Sequence, residues 1–252
     1  MPPDLLGLAV TCGALVAATI AQRVVGMGFG IIMAPVVAIV AGPLAAVLVV
    51  NLYVVVACGL MLPRVWPDVD WRRLRWLIGP AAAASVAGLW IARSADVDVL
   101  RVAVGVAALL GVGVSVAFAG GERVIDGPVS RVVAGATIGL MNASVALGAP
   151  PVAVYSIVSR WERRSFAATM QPFWVALSLV TLLERQVLAP GGAPDWPWWG
   201  WGAAGLATVA GVLAAEPVAR RVSARAARLG VIGLSLASGL AVTAVGVAGL
   251  TG

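Results

Sequence analysis

The sequence predicts an all-α integral membrane protein of two inverted repeats, each a broken or re-entrant helical hairpin followed by three transmembrane helices. Three observations carry this expectation. The 252 residues are 61% hydrophobic and only 11% charged, with a mean hydropathy of +1.01, whereas a soluble domain carries about a quarter charged residues. The charged residues cluster between long apolar runs. Two of those runs are interrupted in mid-course by Gly, Pro and small polar residues. A crossing needs about 20 apolar residues, so the chain has room for roughly eight to ten crossings or part-crossings and little else.

The first repeat is expected over residues 1–119 and the second over 120–252. The first begins with the interrupted run Leu5–Ala41, broken by Arg23-Val24-Val25-Gly26-Met27-Gly28-Phe29-Gly30. Full-length runs follow at Leu44–Leu62, Trp76–Ala92 and Val99–Ala119. The second begins with Arg131–Ser159, broken by Met141-Asn142-Ala143-Ser144 and then Gly148-Ala149-Pro150-Pro151. Its full-length runs are Ser165–Leu183, Trp198–Ala215 and Leu229–Leu250.

Orientation follows from arginine, because cytoplasmic loops retain positive charge. Pro63–Arg75, Arg160–Arg164 and Glu216–Arg228 are Arg-rich and are assigned inside, the runs at 72–75 and 220–228 serving as topology determinants. The acid-balanced loops around Asp96/Asp98 and Glu184–Asp195 are assigned outside, with Trp196–Trp201 at the outer interface. Arg131–Ser159 then enters and leaves on the same face. Its 29 residues (131 to 159) fall short of the roughly 40 that two crossings take. A re-entrant hairpin with two arms of about 12 residues solves this, its tip at Asn142–Gly148. Leu5–Ala41 is the matching hairpin on the outer face, or two tilted spans. Both termini then lie outside the cell membrane, and the three crossings per half invert the second repeat relative to the first.

The two breaks are where chemistry is expected. Bare backbone is tolerated at membrane depth only where protein or water covers it, so the tips should line a cavity. Each tip starts a returning helix, near Gly30 and near Val145–Gly148, and a helix N-terminus binds oxyanions through free N–H groups and its partial positive charge. Gly26, Gly28 and Gly30 let backbone approach a ligand, and Phe29 lies among them. Asn51 and Gln171 are amides at matching depth in their runs; Asn142 and Ser144 supply donors at the second tip, and Arg23 stands beside the first as a counter-charge. The alternatives are structural: Gly as a helix-packing surface, Asn51 and Gln171 as interhelical glue, and Arg23 reaching the far interface.

The segment from Gly26 to Pro35 (Gly-Met-Gly-Phe-Gly-Ile-Ile-Met-Ala-Pro) resembles the Gly-rich first signature of the sulfite exporter TauE/SafE family. Gly139–Pro150, followed by Arg164-Ser165-Phe166-Ala167-Ala168-Thr169, resembles the second-half signature. Phe29 stands where the family usually has Gly, and Asn142-Ala143-Ser144 replaces the second Gly cluster. The resemblance implies a duplicated membrane transporter that exports sulfite or small organosulfonates such as sulfoacetate.

The expected function is thus a permease for a small anionic substrate in the lipid bilayer of a cell membrane. Another small anion or a neutral solute is the alternative within transport. Enzyme function is not expected: the chain has no His, no mid-run carboxylate and no paired Cys, so metal and acid–base chemistry lack residues. No cofactor or metal is expected, and the net charge of +6 reflects loop arginines rather than nucleic-acid affinity. With no mid-run Asp or Glu to couple a proton or sodium ion, transport is expected to run outward down the membrane potential.

Overall fold

The computed structural model describes residues 3–25, 28–117, 126–221 and 224–251; Gly26, singled out above, lies outside them. All the regular secondary structure among the described residues is helical. The first half holds α1 (Pro3–Val25), α2 (Phe29–Ala41), α3 (Pro43–Val65), a 3₁₀ turn (Trp66–Asp68), α4 (Trp71–Ser94) and α5 (Val97–Ala117). The second holds α6 (Pro128–Val145), α7 (Ala149–Val158), α8 (Arg163–Leu188), α9 (Trp198–Arg221) and α10 (Ala224–Thr251). Both breaks occur where expected, between α1 and α2 and between α6 and α7.

Local chemistry sets the helix ends. Gly42, at φ 92°, turns α2 directly into α3, which opens on Pro43. The Asp70 carboxylate accepts from Arg73 N (2.9 Å) at the start of α4. The Glu162 carboxylate accepts from Arg164 N (2.9 Å) and Ser165 N (2.6 Å) at the start of α8. α6 ends on Ala146, a left-handed residue at φ 58°. That turn directs Ala146 N–H onto Asn142 O (3.0 Å) and Leu147 N–H onto Met141 O (3.2 Å).

Among the described residues, five helices are long and apolar enough to cross a bilayer: Leu5–Arg23, Pro43–Asp68, Trp71–Ser94, Arg164–Leu188 and Trp198–Ala215. The last four carry runs expected as crossings. The run Val99–Ala119 follows α5 as far as residue 117, and Leu229–Leu250 falls within α10. The arms of the second interrupted segment differ from the expected two of about 12 residues, while the first falls within the longer arms or tilted spans left open for it. The entering arms are long, 23 residues in α1 and 18 in α6, and the returning arms short, 13 in α2 and 10 in α7. At 1.5 Å per residue these are about 34 and 27 Å against about 20 and 15 Å. The reason lies in the polar side chains of α6, which do not end the helix. Ser144 Oγ donates back to Leu140 O at 2.8 Å and Asn142 finds a partner on α3. The helix therefore continues to Val145.

Each returning arm ends beside the start of its entering arm. A Cβ on Gly7, in the opening turns of α1, would lie 2.6 Å from Val40 near the end of α2. Tyr155, late in α7, donates from its hydroxyl to Asp126 Oδ1 (2.9 Å), just before α6.

Packing runs largely between halves: α4 lies along α6, α1 along α9, α3 along α8 and α5 along α10. Lipid tails are as apolar as leucine, so such contacts depend on close van der Waals fit rather than on water exclusion. Glycine supplies the fit. Gly135 and Gly139 of α6, spaced four apart, face the main chain of Leu77 and Ala81 in α4, and Gly88 of α4 faces Leu140 O and Ser144 N of α6. On the other side, a Cβ on Gly211 of α9 would meet Thr19 of α1 at 2.8 Å. The hydroxyls of Thr11, Thr19, Thr208 and Thr243 donate to carbonyls four residues back, which satisfies them inside the bundle. Cys58 is buried and Cys12 half-buried.

Polar links tie the loops at each end. At one end Arg73 reaches Asp126 (2.7 Å), Arg131 reaches the same carboxylate (2.9 Å), and Arg164 reaches Asp68 (2.8 Å). There Arg73 also stacks 4.7 Å over the Trp161 ring, and Asp70 N donates to Thr169 Oγ1 (2.8 Å). The hydrogen bond from Arg131 holds the Asp126 carboxyl below its ordinary range; burial opposes this, and Tyr155 and Arg73 reinforce it. At the other end Arg93 donates to Leu188 O (3.0 Å), and Trp196 packs against Trp201 with ring centres 5.0 Å apart. Arg73 and Arg164, from two of the loops expected inside, thus make tertiary contacts.

Candidate functional site

The two chain breaks meet. A Cβ placed on Gly30, in the first turn of α2, would lie 2.8 Å from Ala146 O in the α6–α7 turn. Only a residue without a side chain allows this approach. Gly28 precedes α2 at φ 136°, a conformation open to glycine. Gly148 precedes α7, and a Cβ there would lie 2.7 Å from the Trp174 ring of α8.

A cavity lies between them. It is lined by Gln22 of α1, Gly28, Phe29 and Gly30 of the first break, Val50 and Val54 of α3, Asn142, Ala146, Gly148 and Ala149 of the second break, and Trp174 of α8. Its free space, measured as the region open to the centre of a water molecule, is about 20 Å³. One or two water-sized groups fill that volume. A second, wider space of about 510 Å³ in the same measure opens near Arg93, Leu100 and Pro190.

The donors in the cavity are amides and main-chain N–H groups. As N-cap of α2, Gly28 brings no side-chain oxygen to the first-turn N–H groups. Gln22 replaces it once: its Oε1 accepts from Phe29 N at 3.2 Å. Helix geometry leaves the N–H groups of Gly30 and Ile31 without an intrahelical acceptor. Gln22 is 2% exposed, and its Nε2 has no hydrogen-bond partner among the described residues. A buried amide donor without a partner costs about 1–3 kcal/mol, so it is a place for a ligand acceptor. Asn142 Nδ2 donates to Asn51 Oδ1 at 2.9 Å, and Asn51 Nδ2 to Val47 O at 2.8 Å.

The two helix starts are unequal. α2 begins Phe29-Gly30-Ile31, whereas α7 begins Ala149-Pro150-Pro151. Proline has no N–H, so α7 offers its dipole and the Ala149 N–H but none from its next two residues. Of the two helix starts expected to face an anion, α7 thus carries fewer N–H donors than α2.

Of the residues singled out in the sequence, Gly28, Phe29, Gly30 and Asn142 line the cavity. Asn51 is fully buried and stands behind Asn142 as its hydrogen-bond acceptor. Gln171 and Ser144 do not line it. Gln171 Nε2 donates to Ala167 O at 3.2 Å and Ser144 Oγ to Leu140 O, while Gln171 Oε1 is buried with no partner among the described residues. Arg23 is exposed and away from the lining, since it falls on the outer side of α1 one residue after Gln22. Gln22 and Trp174 were not singled out. The signal for Gln22 is a spacing: an amide six residues before a glycine, Gln22 to Gly28 and Asn142 to Gly148.

The family model described as Sulfite exporter TauE/SafE matches residues 10–242. That range takes in both breaks and every residue of the cavity. No curated protein and no solved structure matches the chain.

Proposed function

The chain belongs to the sulfite exporter TauE/SafE family, and from that premise we propose that it is a permease that exports a small sulfur oxyanion, sulfite or an organosulfonate, through the cavity between its two breaks. It is a multi-pass membrane protein of a transporter family. The observation that carries the finer reading is the cavity itself: both breaks line it, together with two buried amides and the open start of α2. Non-helical backbone at membrane depth belongs in a cavity of this kind, and a helix start with free N–H groups suits an oxyanion.

We read the fold as two inverted repeats around a midplane site, with each break the tip of a re-entrant hairpin. Several features support this. Gln22 and Asn142 lie 120 residues apart (142 − 22), as do Gly28 and Gly148 (148 − 28), Asn51 and Gln171 (171 − 51), and the starts of α3 and α8 (163 − 43). α4 and α9 begin and end 127 residues apart (198 − 71, 221 − 94), and α5 and α10 begin 127 apart (224 − 97). Exchanging the halves also turns the α4–α6 contact into α9–α1 and the α2–α10 contact into α7–α5, and all four exist.

The same exchange pairs the Asn51–Asn142 hydrogen bond with a Gln171–Gln22 contact. The first bond is formed, while Gln22 Nε2 and Gln171 Oε1 are both buried without partners among the described residues. One amide pair is closed and its counterpart open. That asymmetry suits a transporter in one of its two access states.

With the Arg-rich loops inside, an anion leaving the cell gains about 2.3 kcal/mol per charge per 100 mV. Liposomes loaded with sulfite test this. Efflux is expected to follow an imposed voltage with no pH gradient. Efflux that requires a pH gradient and ignores voltage contradicts uncoupled export, and no efflux of sulfite or methanesulfonate under either condition contradicts the permease.

A further inference from the structure

We infer that the cavity selects its substrate by charge, accepting a compact singly charged sulfur oxyanion, hydrogensulfite or a small sulfonate, and rejecting a dianion of the same size. This rests on the permease reading and adds the charge state of the bound species. Its ground is the combination, among the described residues, of a lining without charged side chains and one amide donor without a partner.

No Arg, Asp or Glu is among the described residues that line the cavity. Arg23, the nearest cation in sequence, is exposed and outside it. What faces the cavity is neutral: Gln22 Nε2, buried and without a partner among the described residues, the open first turn of α2 after Gly28, and the Asn142 amide. A helix start acts as roughly half a positive charge, and here α7 is weakened as a donor by Pro150 and Pro151.

The energetics separate one charge from two. The cost of taking an ion out of water grows with the square of its charge. Its attraction to fixed dipoles grows only in proportion to the charge. A site of neutral donors that compensates a monoanion therefore leaves most of the second charge of a dianion uncompensated. Sulfite loses its second proton near neutral pH, so both forms are present for the site to distinguish. The free space of about 20 Å³ is smaller than any of these ions, so the two breaks must part to admit one, and compact ions need the least opening.

The test compares methanesulfonate with sulfate, which match in size and tetrahedral shape but carry one charge and two. Binding to the purified full-length protein is followed by thermal shift and calorimetry, with total sulfite titrated on both sides of neutrality. Methanesulfonate is expected to bind on the order of tenfold or more tighter than sulfate, independently of pH. Apparent affinity for total sulfite is expected to fall as pH rises and hydrogensulfite is depleted. Gln22→Leu should weaken methanesulfonate about tenfold and leave the order of the ions unchanged. Sulfate binding as tightly as methanesulfonate, or sulfite binding tighter as pH rises, overturns the inference and leaves the permease standing. Folded protein that binds none of the three overturns the permease reading itself.

Discussion

Asn142 and Asn51 join the second chain break to α3 through a single amide hydrogen bond, Nδ2 to Oδ1 at 2.9 Å, with both residues buried. The bond settles which face of α6 meets α3 beside the cavity. Asn142→Leu removes the donor and leaves Asn51 Oδ1 buried and unmatched, at a cost of about 1–3 kcal/mol. The expected result is a lower thermal midpoint in detergent. Adding Asn51→Leu should recover part of the loss, since no amide is then orphaned. A double variant as unstable as the sum of the singles shows that the bond contributes nothing.

Gly139 lies against the Ala81 carbonyl, with no space for a methyl group. Gly139→Ala must push α6 off α4, and overpacking of this kind costs about 1–3 kcal/mol. Gly233→Ala serves as a control, because no described atom outside its own stretch of helix lies within 4 Å of a Cβ there. Melting of the two variants side by side checks this. Equal midpoints remove the close helix contact from the account.

Gly30→Ala acts on the site. Its new methyl would stand 2.8 Å from Ala146 O, forcing apart the two breaks that line the cavity. Membrane insertion should be preserved while anion binding drops by tenfold or more. Gly42→Ala is the control for a destabilising glycine substitution away from the cavity. Gly42 carries a positive φ, 92°, at the α2–α3 turn, and no described atom of a neighbouring element lies within 4 Å of a Cβ there. It should lose stability, about 1–2 kcal/mol, and keep binding.

Asp126 predicts a pH dependence. Its folded pKa is lowered, chiefly by the Arg131 hydrogen bond. The carboxylate therefore contributes stability at pH values above its unfolded pKa, about 3.9, and that contribution is lost as pH falls through the folded value. Wild type should lose thermal stability on acidification into that range more steeply than Asp126→Asn. Parallel curves for the two proteins count against the Arg73–Asp126–Arg131 network.

The positions of both breaks were legible in the sequence because Gly28, Gly148 and the adjoining prolines punctuate otherwise apolar runs, and backbone rules give those residues few other uses. Arm lengths were not legible. Asn142 and Ser144 look like interruptions in a one-dimensional reading, but their hydrogen bonds to Asn51 and Leu140 let α6 run past them. Arg23 drew attention by its charge, yet a charged side chain in a helix is placed by the angle at which it leaves the axis, and Gln22 next to it is the residue that faces the cavity. The Gly135/Gly139 face shows the same limit from another side. Its spacing is visible, but the helix it meets, α4, lies some 60 residues away, and sequence spacing does not name a partner.

The account stands or falls on where an anion sits. Crystals grown with selenite, an anomalously scattering relative of sulfite, locate it directly. A peak is expected between the first turn of α2 and the α6–α7 turn, within hydrogen-bond reach of Gln22 Nε2. An anomalous peak in the wider space beside Arg93, with none between the breaks, contradicts it.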